Sequence, residues 1–153
     1  MFFDTVSDLL KPRRAEQPPA VPPDTPVADA VRIMNRHAIG AVLVSNGRGL
    51  EGILTERDVM KGVVEPGRNP ARTRVDEVMT ARPRTVGAND RASRALEFMN
   101  QEGLRYLPVL DDGRVLGVLS MHDLNRWLTR ELQDQADGAL MAVKTMGLAN
   151  RRR

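Results

Sequence analysis

From about Ala20 to Gly62, residue n and residue n + 65 follow one pattern without a gap. The register pairs Val21 with Val86, Ala30 with Ala95, Met34 and Asn35 with Met99 and Asn100, Val44 with Val109, Gly52 with Gly117, Leu54 with Leu119, and Asp58 with Asp123. These are eight identities in 43 positions, and many other pairs match apolar to apolar. Chance gives scattered matches, not an unbroken register in which the type of pattern also agrees. The chain therefore reads as two copies of one unit, each so small that the copies must share a core.

Each copy has the same order of elements. A Pro- or Asp-rich turn leads into a helix with Val27, Ala30, Val31 and Met34 on one face, or Ala92, Ala95, Leu96 and Met99 in the twin. Thr25 before Pro26 reads as an N-cap followed by proline at the first helical position. A β-rich run follows, Ala41 to Val44 or Tyr106 to Leu110. Next come a tight turn, Asn46-Gly47-Arg48-Gly49 or Asp111-Asp112-Gly113-Arg114, and a second strand, Leu50 to Leu54 or Val115 to Leu119. That strand runs straight into a helix at Thr55 or Ser120, and a short strand is expected at Val21 and at Thr85-Val86.

Glu65 to Pro70 has linker composition. Thr73 to Met79 reads as a short helix leading into the second copy; its counterpart is Thr5 to Leu10, shifted because the stretch from Lys11 to Pro19 is longer. After the second copy, Leu124, Leu128 and Leu132 continue one helical stripe, Gly138 is expected to interrupt it, and Ala139 to Met146 reads as a further amphipathic helix. The expected boundaries are residues 5–64 for repeat 1, 65–72 for the linker, 73–132 for repeat 2, and 133–153 for a helical extension with a basic tail.

Composition narrows the function. The chain is 41% apolar, enough for a core, but only 3% aromatic, which leaves few platforms for stacking single-stranded nucleic acid. The absence of cysteine excludes disulfides, thiolate catalysis and Cys-ligated zinc, and two histidines, His37 and His122, are too few for a histidine-built metal centre. No apolar run has the length of a signal peptide or a membrane span, so a cytoplasmic protein is expected. The net charge of +3 is carried entirely by Arg151, Arg152 and Arg153, which read as a solvated terminus.

The most informative repeat is Gly52-Ile53-Leu54-Thr55-Glu56-Arg57-Asp58 and its twin Gly117-Val118-Leu119-Ser120-Met121-His122-Asp123. Its plain reading is a capping-box variant, in which Ser or Thr and an acid three residues on close a helix N-terminus. Two observations point further. A strand ending in a helix N-terminus presents unpaired N–H groups and a hydroxyl that suit a phosphate, and Asp at such a turn can accept the hydroxyls of a ribose. Arg57 and His122, each one residue before the Asp, add a donor for a phosphate oxygen. No phosphate-loop sequence occurs, so phosphoryl transfer is not supported.

The paired units, each ending in Gly-apolar-apolar-Ser/Thr-x-x-Asp, with Thr55-Glu56-Arg57-Asp58 and Tyr106-Leu107-Pro108-Val109 at matching spacing, resemble a tandem pair of cystathionine β-synthase (CBS) domains, a Bateman module, over roughly residues 5 to 130. The resemblance implies an α+β fold in which two β-α-β-β-α repeats pack sheet to sheet about a pseudo-twofold axis and leave two clefts. It implies AMP, ADP or ATP as ligand, with S-adenosylmethionine as a further candidate; Mg²⁺ is left open. Carried over residue by residue, one cleft combines Ile39, Gly40 and Ala41 with Ser120, His122 and Asp123. The other combines Leu104, Arg105 and Tyr106 with Thr55, Arg57 and Asp58. Thr80, Arg84 and Ala20 border the base or phosphates.

The copies differ where it matters. Pro108 precedes the core strand residue in repeat 2, whereas repeat 1 has Leu43; Gly40-Ala41 leaves room for a base, whereas Arg105-Tyr106 is bulky. The cleft using Gly40 and Asp123 is therefore expected to bind more tightly. A ligand-sensing regulatory module is the expected function. The resemblance further implies a homodimer, and output to an unidentified protein target is expected to act in trans. Nucleic-acid binding through the Arg tail is an alternative that the neutral remainder and the scarce aromatics argue against, and a purely structural or oligomerisation module is another. Catalysis is not expected, because Asp58 and Asp123 lie in different repeats and no nucleophile stands out.

Overall fold

Apolar residues spaced three and four apart wind α2 (Val27–His37) and α4 (Ala92–Glu102), two eleven-residue helices that are 65 residues apart and bury equivalent stripes, Val27, Ala30 and Met34 in one and Ala92, Ala95 and Met99 in the other. The computed structural model describes residues 4–10 and 19–149; the stretch beginning at Lys11, up to residue 18, and the Arg151–Arg153 tail lie outside them. Both helices end on a left-handed residue, Ala38 at φ 50° and Gly103 at φ 64°, whose N–H groups return to the last helical carbonyls.

Each helix is followed by an antiparallel hairpin: β2 (Ala41–Ser45) with β3 (Leu50–Thr55), and β6 (Tyr106–Asp111) with β7 (Arg114–Ser120). Their registers coincide, with Ala41 opposite Thr55 and Tyr106 opposite Ser120, and both slip at the same point, after Val44 and after Val109. Short strands β1 (Ala20–Val21) and β5 (Val86–Gly87) add in parallel to β2 and β6. In the first sheet β4 (Thr80–Ala81) adds to β3, so the orders are β1-β2-β3-β4 and β5-β6-β7.

Side chains alternate between two destinations. Val42, Val44 and Leu54 face α2 in one core, Leu107, Val109 and Leu119 face α4 in a second, and Ala41, Leu43, Ile53 and Val118 meet between the sheets with Ile39, Leu50, Tyr106 and Val115 packed against them. Burial of both faces explains why the strands read as continuous apolar runs. The architecture is the α+β pair of repeats, sheet to sheet about a pseudo-twofold axis.

The segments preceding each repeat cross over. Helix α1 (Val6–Leu10) buries Val6 and Leu10 among the residues of repeat 2, and Trp127 Nε1 donates to Asp4 at 2.9 Å. Val75, in a 3-10 turn (Val75–Glu77), is buried in the core of repeat 1. Isolated bridges seal both crossings, Thr5 to Arg91 and Pro26 to Arg74.

Two expectations about helix ends are corrected. Thr25 does not cap α2: the cap position is Pro26, with no side-chain bond, while the Thr25 carbonyl accepts from Val75 N–H and the first helical N–H groups find the carbonyls of Thr73 and Pro70. Tertiary contacts thus do the work of a cap. Gly138 does not interrupt the last helix: after α3 (Glu56–Val59), which runs into a π turn (Met60–Val64), repeat 1 stops, but in repeat 2 the equivalent helix α5 continues from Met121 to Ala149. A glycine in an exposed helix costs only about 1 kcal/mol relative to alanine, and Ala136, Ala139 and Leu140 around it favour the helix.

Candidate functional site

The two duplicated turns both form capping boxes. At the first, Asp58 Oδ2 accepts from the Thr55 backbone N–H and hydroxyl, each at 2.8 Å, and Asp58 N–H donates to Thr55 Oγ1 at 3.3 Å. At the second, Asp123 Oδ2 accepts from the Ser120 N–H at 3.0 Å and its hydroxyl at 2.6 Å, and Asp123 N–H returns to Ser120 Oγ at 3.1 Å. The structural reading of the motif is therefore correct for both copies, and it leaves one carboxylate oxygen, Oδ1, for other work.

What Oδ1 meets differs between the copies. Thr80, placed by the pairing of β4 with β3, donates its hydroxyl to Asp58 Oδ1 at 3.2 Å. Asp123 Oδ1 instead accepts from the Arg126 guanidinium at 2.8 Å, and this carboxylate is only 6% exposed. Arg57 and His122 are exposed on the first turns of their helices.

The first-strand segments are held alike. Glu56 N–H donates to the Gly40 carbonyl and Met121 N–H to the Arg105 carbonyl, both at 2.9 Å, so each segment is tied to the helix start of its own repeat. At this site a side chain of repeat 2 reaches into repeat 1. Arg105 reaches across to Glu56 at 3.2 Å, whose carboxylate end crowds Gly40, while Thr80, expected only to border the ligand, joins Thr55 and Asp58 at the first turn.

Tyr106 occupies the other cleft. A Cβ placed on Gly40 would collide with the Tyr106 hydroxyl and with Glu56 Oε2, so the room expected at Gly40 is filled by two side-chain ends. Burial pushes the Tyr106 phenol above its usual range and the charge of Glu56 adds to this, while a hydrogen bond from the Gly40 backbone and the Arg105 guanidinium pull the other way; Asp123 contributes a further small push upward. Tyr106 thus fills the space beside Gly40. A groove of about 500 Å³ runs beside it, lined by Met34, Asn35, Ile39, Gly40, Glu56 and Tyr106 among others. Ala41 is fully buried between the sheets, Leu104 is half-buried, and Ala20 and Arg84 lie exposed on β1 and between β4 and β5.

Sequence reasoning missed Glu56 and Arg126. Glu56 had a signal, since its twin is the uncharged Met121; Arg126 had none beyond its place three residues after Asp123. Among the described residues no cluster of His, Asp and Glu suits a metal ion, and no helix is long and apolar enough to cross a membrane.

A family model described as CBS domain matches the chain twice, at residues 6–65 and 75–130. The chain belongs to the CBS-domain family. It is 30% identical over 139 residues to the CBS domain-containing protein CBSX3, mitochondrial, of Arabidopsis thaliana, a match covering 86% of this chain and 68% of that protein. It spans 54% and 20% of the lengths of two other curated relatives. A structure of a protein with CBS domains from Burkholderia ambifaria superposes with a TM-score of 0.76 at 34% identity, covering 82% of this chain and 93% of that one. A CBS domain protein from Pyrobaculum aerophilum, solved in complex with AMP, shares the fold at 22% identity, with a TM-score of 0.68 and coverage of 78% and 89%.

Proposed function

We propose that this CBS pair is a regulatory module that binds an adenosine-type nucleotide, with AMP, ADP or ATP first and S-adenosylmethionine as a further candidate, and passes the occupancy on to a partner protein without catalysing a reaction. The observation that carries this reading is the Asp58 turn. One carboxylate oxygen is spent on the cap, the other shares a hydrogen bond with Thr80, and the exposed cation Arg57 precedes it on the same helix turn, with Arg105 held by the neighbouring Glu56. An Asp oxygen already accepting one hydroxyl can accept those of a ribose, and flanking guanidinium groups suit a phosphate. The AMP bound to a protein of the same fold agrees with this chemistry.

In this reading one site joins Leu104 and Arg105 to Thr55, Arg57, Asp58 and Thr80, and the other joins Ile39, Gly40 and Ala41 to Ser120, His122 and Asp123, with Tyr106, expected in the first, packed against Gly40 of the second. A homodimer is part of the same proposal. Thermal-shift measurements against AMP, ATP, NADH and S-adenosylmethionine test it. A ligand that binds only the folded chain adds about 2.7 kcal/mol at 100 times its Kd, so the true ligand raises the midpoint clearly. If none of the four does, the nucleotide reading fails.

A further inference from the structure

We propose that Tyr106 is a gate on the Gly40 side of the module, latched by the Glu56–Arg105 pair, so that a nucleotide enters there only by displacing the phenol. The proposal rests on the nucleotide reading above and adds to it which cleft is closed and by what.

The closing atoms come from opposite repeats. Gly40 and Glu56 belong to repeat 1, where Glu56 N–H holds the Gly40 carbonyl at 2.9 Å; Arg105 and Tyr106 are consecutive in repeat 2. The phenol and the Glu56 carboxylate crowd the one position where Gly40 leaves no side chain, which is the space a flat base would need. Arg105 holds Glu56 from the outside at 3.2 Å. The pair is open to water, with side chains 67% and 49% exposed, and ion pairs so exposed are weak and readily broken. Tyrosine and glutamate ends can swing away without moving a strand, so the closure is reversible.

The duplication shows that this device is built once. The twins of Tyr106, Arg105 and Glu56 are Ala41, Gly40 and Met121, none of which can reach across in the same way. Ligand at the Asp58 turn therefore meets no equivalent phenol, while ligand at Gly40 must first break contacts between the repeats. Occupancy of the gated cleft is thereby coupled to how the repeats hold each other.

Tyr106 is the chain's single tyrosine, so a ring-labelled sample gives one tyrosine signal. The test is calorimetric titration of AMP into the wild-type chain, Tyr106→Ala and Glu56→Gln, with the tyrosine signal followed during the wild-type and Glu56→Gln titrations. A gate closed nine-tenths of the time lowers apparent affinity about tenfold, so Tyr106→Ala is expected to gain about that factor at one site. Glu56→Gln, at an exposed position that does not threaten folding, is expected to gain a smaller factor, and the wild-type tyrosine signal to shift as AMP saturates. Equal affinities, or a tyrosine signal unmoved at saturation, overturn the gate alone. Weaker binding by Tyr106→Ala makes the ring a wall of the site and also overturns the gate. If AMP gives no heat with any of the three proteins, the nucleotide reading falls and the gate falls with it.

Discussion

Thr80 and Asp58, 22 residues apart, are joined by a hydrogen bond of 3.2 Å from the threonine hydroxyl to the carboxylate oxygen that the helix cap does not use. Thr80 is placed there by a two-residue strand, and its side chain is exposed. Thr80→Val keeps the β-branched shape and removes the donor. Its effect on stability is expected to stay within about 0.5 kcal/mol. AMP affinity at the Asp58 turn is expected to fall by roughly 1 kcal/mol, about fivefold, the worth of one hydrogen bond. Urea unfolding and calorimetry on the same samples separate the two effects.

The twin glycines that open the motif differ in what presses on them. A Cβ at Gly52 would meet the Met79 side chain and the Thr80 carbonyl, the latter at 3.0 Å, whereas at Gly117 it would meet only Leu10 methyl groups at 3.3 and 3.6 Å. A carbonyl in a paired strand cannot step aside; a leucine methyl can. Gly52→Ala is expected to cost about 1–3 kcal/mol, and Gly117→Ala clearly less. A denaturation midpoint for Gly117→Ala at or below that of Gly52→Ala contradicts this account.

The two aspartates should exchange importance when Tyr106 is removed. With the ring in place, Asp58→Ala is expected to lower AMP affinity more than Asp123→Ala, because Asp123 is buried and paired with Arg126 while Tyr106 fills the space at Gly40. In the Tyr106→Ala background the order should reverse and recover the preference for the Gly40 cleft that its small residues suggest. Each substitution also removes a cap acceptor, a loss of about 1 kcal/mol of stability, which urea unfolding of the same variants reads separately from affinity. An unchanged order in the two backgrounds contradicts the prediction.

The phenol predicts a pH dependence with a definite sign. Its folded pKa is raised, chiefly by burial, so the folded state favours the neutral form. The resulting stability is fully present below the ordinary phenol value of about 10 and is lost as pH rises through the higher folded value. Tyr106→Phe removes the ionisation, and its stability should fall less steeply above pH 10 than that of the wild-type chain. Matching alkaline slopes for the two proteins, read from thermal midpoints, contradict it.

Most of the fold was legible because the duplication carried it. The 65-residue offset returned both helices, both hairpins and the capped turns in matching positions, and the structure adds a shared register slip after Val44 and Val109 that the offset did not foretell. What was not legible depended on contacts between segments far apart in the chain. Thr25 looked like a cap because its neighbours in sequence suit one, yet its carbonyl was claimed by Val75. Gly138 looked like a stop because a local rule outweighed the helix formers around it. At the site, the residue types at the turns pointed to Thr55, Asp58, Ser120 and Asp123 as caps. No spacing rule could show that Tyr106 of one repeat would lie over Gly40 of the other, because the face on which a strand residue meets the opposite sheet follows only from packing.

The crossing of α1 into the core of repeat 2 bears on how the chain reaches its native state. Val6 and Leu10 are synthesised well before the residues that enclose them, which run from Val86 to Trp127, and the bond from Trp127 to Asp4 closes a loop of 123 residues. Contacts of such long separation form slowly. Helix α1 must therefore wait until nearly the whole module has emerged, so a cut between the sequence repeats does not yield two folding units, and the second core is completed by a segment that precedes the first repeat's sheet.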